Sequence, residues 1–129
     1  PGLVFVNFAA NDREKGAARY RAQMRNLLDI IFGMHAETSV ILLNFCRMTP
    51  NRLPVLEELA RAYPEGKVRC FDARPFLVGY SDEGVHPDRE SHRRLADALA
   101  AYLAPLLHPE RGGVDSAHRN PQPTTPGNP

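Results

Sequence analysis

The chain has 129 residues, 43% of them apolar, and carries a formal charge of +1 with its histidines neutral. That length suffices for one domain with a hydrophobic core. The near-neutral charge supplies no drive toward nucleic acid or a membrane surface, and no apolar run reaches the about 20 residues of a membrane-spanning helix.

Residues 3–8 (LVFVNF) are β-branched and aromatic and follow a Pro-Gly pair, which predicts a buried strand. Residues 9–16 (AANDREKG) are polar and turn-rich, a loop at the carboxyl end of that strand. From 17 to about 36, Tyr20, Met24, Leu27, Leu28 and Ile31 recur at helical spacing, and Arg19, Arg21 and Arg25 fall off the stripe as a solvated face. Gly33 weakens the last turns. Residues 39–45 (SVILLNF) give the clearest strand, apolar almost throughout, as in a parallel sheet buried on both faces. After a loop at 46–51, Leu53, Leu56, Leu59, Ala60 and Tyr63 define a shorter helix with Pro54 in its first turn, and Pro64-Glu65-Gly66 ends it.

Residues 67–72 (KVRCFD) are a third strand, and 73–87 form a long connection containing Pro75 and Gly79. Asp88 is placed to cap a final helix with the stripe Leu95, Leu99, Tyr102, Leu103 and Leu106. From 108 to 129 Pro, Gly, Asn, Ser and Thr replace apolar residues, the composition of a disordered tail. Cys46 and Cys70 sit at or near strand-like runs without metal-site spacing and read as buried thiols. No internal repeat is present. Three alternations of strand and helix predict an α/β domain over residues 1–107 with a parallel sheet and right-handed crossovers.

In such sheets the active loops follow the carboxyl ends of the strands. Two loops qualify on position, 9–16 and 80–87, which would bring Asn11, Asp12 and His86 to one rim. The octapeptide 81–88 (SDEGVHPD) holds a histidine between glycine and proline, with Asp82 and Glu83 four and three places before it and a helix directly after. A catalytic triad asks this of its base: a loop to extend the imidazole, a carboxylate to fix its tautomer, a packed helix to steady the loop. An acidic helix-capping loop with an exposed histidine accounts for the octapeptide equally simply.

Taken together, Phe8-Ala9-Ala10-Asn11-Asp12 after the first strand and Glu83-Gly84-Val85-His86-Pro87 before the last helix resemble two signature blocks of the SGNH (GDSL-type) hydrolases. The resemblance covers about residues 2–107. It implies a three-layer α/β/α flavodoxin-like fold, here incomplete, and a serine esterase acting on a small-molecule or carbohydrate acyl ester without cofactor or metal. His86 would then be the general base and Asn11 an oxyanion donor. Asp12 would hold the loop, and Glu83, with Asp82 as the alternative, would orient His86.

Three departures stand out. Ala9 replaces the block's glycine, a penalty only where φ is positive or the backbone must approach substrate closely. Glu83 replaces aspartate before the histidine. The Gly-Asp-Ser nucleophile block is absent: Ser39 opens a strand, Ser81 is close to His86 in sequence, Ser91 lies in a helix's first turn, and Ser116 is in the tail. Since the chain opens on Pro1 and directly on a strand, the nucleophile and a further strand and helix are expected upstream, with this stretch silent alone. A non-catalytic α/β module is the alternative that Ala9, Glu83 and the missing block favour. A metal-dependent phosphoesterase using Asn11, Asp12, His86 and His92, and a phosphate or flavin binder with loop 9–16 as its cradle, have less sequence support. Acyl and alcohol specificity, compartment and oligomeric state leave no mark in these residues.

Overall fold

The central strand dictates the architecture. The computed structural model describes residues 2–7, 16–45, 51–81, 84 and 86–108, and in it β2 (Ser39–Asn44) lies between β1 (Leu3–Val6) and β3 (Val68–Asp72). Both pairings are parallel. Val40, Ile41 and Leu42 are all fully buried, so β2 is covered on both faces, as its unbroken apolar run predicts.

Register and the two-residue period set the core. Val4 pairs with Val40 and Val40 with Val68; Val6 pairs with Leu42 and Leu42 with Cys70. These six residues share one face. The two crossover connections bring α1 (Ala17–Met34) and α2 (Leu53–Arg61) to that face. Tyr20, Met24 and Leu28 of α1, at intervals of four, and Val55, Leu56 and Leu59 of α2 complete one cluster with Val6, Val40, Leu42 and Val68. Leu27, Ile31 and Phe32 flank it.

Polar and ring contacts fix α1 to α2 and to the segment that follows α2. Arg21 Nη2 donates to Glu58 Oε2 at 2.7 Å, and the Tyr63 hydroxyl donates to Asp29 Oδ1 at 3.0 Å. The Phe32 and Tyr63 ring centroids are 5.3 Å apart, and Lys67 stands over Phe32 while donating to the Ala36 carbonyl. Arg21 therefore corrects its expected role as one of several solvated arginines: its length lets it reach α2 from the edge of the buried stripe. Cys70 is also corrected, being half-buried rather than buried, because no described strand pairs with the outer edge of β3. Burial still pushes its thiol up to about 12, helped by the charge of Glu57 and opposed by Arg61.

The chain divides into two compact units, the first ending at Arg74 and the second starting at Pro75. In the second, Phe76 and Leu77 are buried and α3 (Arg89–Leu107) follows. Asp88 caps α3 as expected, its Oδ1 accepting from the Ser91 backbone N–H at 2.8 Å. Ser91, Leu95 and Ala98 are the buried residues of α3, and Leu99, Tyr102, Leu103 and Leu106 are half-buried. Pro105 stands in the last turn. No described helix is long and apolar enough to cross a membrane. The tail expected over 108–129 lies outside the described residues except for His108, the cap residue of α3.

Candidate functional site

At the carboxyl ends of β2 and β3 the first unit carries a closed polar network. Asn44, the last residue of β2, is 2% exposed. Its amide donates to Asp72 Oδ1 at 2.9 Å and to Asn51 Oδ1 at 3.2 Å. Asn51 Oδ1 also accepts from the Leu53 N–H at 3.0 Å, satisfying one of the donors that a helix start leaves open. Asp72, the last residue of β3, takes the Arg74 guanidinium in a two-point grip, Nε to Oδ1 at 3.0 Å and Nη2 to Oδ2 at 3.1 Å. Nearby in sequence, Arg52 is buried with its guanidinium carbon 4.9 Å from the centre of the Tyr20 ring. These groups serve one another; their work is to lock the ends of two strands and the start of α2.

The histidine loop belongs to the second unit and is built as a short ladder. The Asp88 N–H donates to the Gly79 carbonyl at 3.1 Å and the Ser81 N–H to the His86 carbonyl at 2.7 Å. Between these two bonds, Tyr80 and Pro87 face each other as an antiparallel pair. Proline fits there because its position asks for no N–H. Gly84, at φ 69°, donates to the Ser81 carbonyl at 2.7 Å, a backbone conformation that glycine adopts without strain. His86 is exposed at the mouth of this turn, one residue past the pair that closes it.

The root of the ladder is tied to α3. The Ser91 hydroxyl, fully buried, accepts from the Gly79 N–H at 2.9 Å and donates to the Gly79 carbonyl at 2.8 Å. A Cβ on Gly79 would collide with the Asp88 carboxylate, so only glycine lets the capping residue lie there. Ser91 has both hydrogen-bonding capacities engaged and no access to solvent, which removes it from the nucleophile candidates.

Of the constellation read from sequence, the structure describes His86. Ala9, Asn11, Asp12, Asp82 and Glu83 lie outside the described residues, as does Cys46. His92 is exposed in the first turn of α3, and among the described residues no three His, Cys, Asp or Glu side chains converge as metal ligands. The sequence reading placed Gly79 in the long connection and Ser91 in a helix's first turn, and did not bring the two together. A lone glycine before a tyrosine in an otherwise apolar run was the available signal, since it marks close approach of another group to the backbone.

Neither a family model nor a curated protein matches the chain. A solved structure does: a serine-to-alanine mutant of an acetyl esterase, crystallised with an acetate ion, at 16% identity and a TM-score of 0.67. The match covers 85% of this chain and 60% of that one, so the chain spans less than two thirds of the esterase's length. The likeness establishes a shared α/β fold.

Proposed function

We propose that this chain is part of a serine ester hydrolase of SGNH type and carries its general base, His86. The carrying observation is the way His86 is held: exposed, on a two-bonded ladder anchored in the first turn of a capped helix. A base must be accessible to substrate and fixed in position, and an incidental surface histidine needs only the first. The fold likeness to an acetyl esterase supports the same class.

In this reading His86 takes the proton of a serine hydroxyl from outside these 129 residues as that oxygen attacks the acyl carbon. It then returns the proton to the departing alcohol. Asn11 donates its amide to the tetrahedral oxyanion, Asp12 supports its loop, and Glu83, or Asp82 in its place, holds the imidazole tautomer. The substrate is a small-molecule or carbohydrate acyl ester, and the chemistry needs no metal or cofactor.

The test begins with coding sequence upstream of Pro1, where a strand ending in Gly-Asp-Ser is expected. The chain extended through that strand should hydrolyse p-nitrophenyl acetate and lose the activity on His86→Ala. Full activity in that variant, or an upstream sequence without a nucleophile strand, rejects the proposal.

A further inference from the structure

The hydroxyl of Ser91 spends both of its hydrogen-bonding capacities on a single residue, Gly79, twelve positions away and at the root of the histidine loop. Three features converge on that glycine. Its N–H and carbonyl are both bonded to a fully buried serine; its carbonyl also accepts the Asp88 N–H; and its missing side chain leaves the space that the Asp88 carboxylate fills. Asp88 in turn accepts from the backbone N–H of Ser91. The result is a closed ring of contacts, Gly79 to Ser91 to Asp88 and back, which joins the first strand of the ladder to the helix that follows the second.

Helix capping needs Asp88 alone, and turn formation needs Gly84 alone. Neither needs a buried serine bonded twice to a residue on the opposite strand. We infer that Ser91 is the positioning residue of the histidine loop: it fixes Gly79 to α3, and thereby sets the register in which the Ser81–His86 bond forms and His86 is presented. A helix held by a buried face, Ser91, Leu95 and Ala98, is a stable reference, and a loop tied to its first turn by two hydrogen bonds moves with it rather than independently. The catalytic importance of this clip rests on the hydrolase reading of His86; its existence as a device does not.

The experiment uses the 129-residue chain and no substrate. Amide hydrogen exchange at Ser81 and Asp88 reports the two ladder bonds, and the His86 ring-proton resonance reports the environment of the imidazole. Ser91→Ala should lose at least about 10-fold of the protection at both amides, the scale of removing one buried hydrogen-bonding partner, with the helical circular dichroism signal retained. The ring resonance should move towards that of a histidine in an unstructured peptide. Ser91→Thr keeps the hydroxyl and should restore protection to within about 3-fold of wild type, which a simple loss of packing would not do. Gly79→Ala disturbs the same clip from the other strand and should reproduce the Ser91→Ala pattern, so the inference stays testable if the threonine methyl finds no room. Unchanged protection at both amides in Ser91→Ala, with the ring resonance unmoved, overturns it. Because no ester is involved, a failure of the hydrolase reading leaves these measurements intact, and a failure here leaves ester hydrolysis to be judged by its own assay.

Discussion

Asn44 shows how one buried amide can govern the end of a sheet. Its two donors go to Asp72 and Asn51, and both acceptors keep another partner when it is removed, Arg74 and the Leu53 N–H. Asn44→Ala should therefore cost about 2 kcal/mol, roughly 1 per lost bond, read as a lower urea midpoint with an unchanged slope. Asn44→Asp should cost more, because it sets a second carboxylate beside Asp72; one of the pair would then hold a proton, and the deficit should shrink as pH falls. Equal losses for the two variants would mean that the network does not bind the strand ends as described. None of this was legible beforehand: an asparagine at the end of an apolar strand looks the same in sequence whether it meets solvent or a partner. Cys70 was legible in kind and not in degree. With its thiol pushed up to about 12 by burial, it should stay protonated at pH 8 and resist thiol reagents until the chain unfolds, which peptide mapping can resolve from the reactivity of Cys46.

At the scale of elements the sequence was most informative, because helices and strands advertise their buried faces through spacing. The stripe of α1, the doubly buried β2 and the Asp88 cap all follow from period and residue type, and the strand ends fell within a residue or two. What spacing does not show is which exposed charges reach a neighbour, as Arg21 does. Gly33 lies in α1 with open space where a Cβ would stand. Gly33→Ala should stabilise the chain by about 0.5–1 kcal/mol, a rise in thermal midpoint of a few degrees; a loss would mean that some contact there has been overlooked. In the first turns of α3, Glu90 accepts from Arg93 and Arg94, which hold its carboxyl down from an ordinary 4.5 to about 2. A depressed carboxylate contributes stability above its unfolded value and loses it as pH falls through its folded one. The difference between wild type and Glu90→Gln should therefore be largest above pH 5, shrink between about pH 4.5 and 2, and vanish below, and high salt should reduce it throughout. A difference independent of pH would assign the effect to packing of the side chain instead.

For the whole molecule the α/β class could be read from three alternations of strand and helix, while the construction of the histidine loop could not. It depends on a contact between Gly79 and Ser91, twelve residues apart, that has no periodicity to announce it. The same asymmetry separates the chemistry from the scaffold. His86 is exposed, and its ladder bond is made by its backbone carbonyl, which alanine would keep. His86→Ala keeps that backbone bond and should therefore lower the urea midpoint of this chain less than Ser91→Ala does. Ser91→Ala, which strands the N–H of Gly79 and leaves its carbonyl with the Asp88 N–H, should lower the stability read from that midpoint by about 1–3 kcal/mol. Under the hydrolase reading the order reverses for catalysis in the upstream-extended chain: His86→Ala abolishes ester turnover, and Ser91→Ala lowers it while leaving the base present. The 129 residues alone should give no turnover of p-nitrophenyl acetate above the level of the His86→Ala variant, since the reading puts the nucleophile elsewhere. A reversal of the stability order would transfer His86 from the chemistry to the scaffold, and turnover by this chain that disappears with His86 would bring the nucleophile inside it.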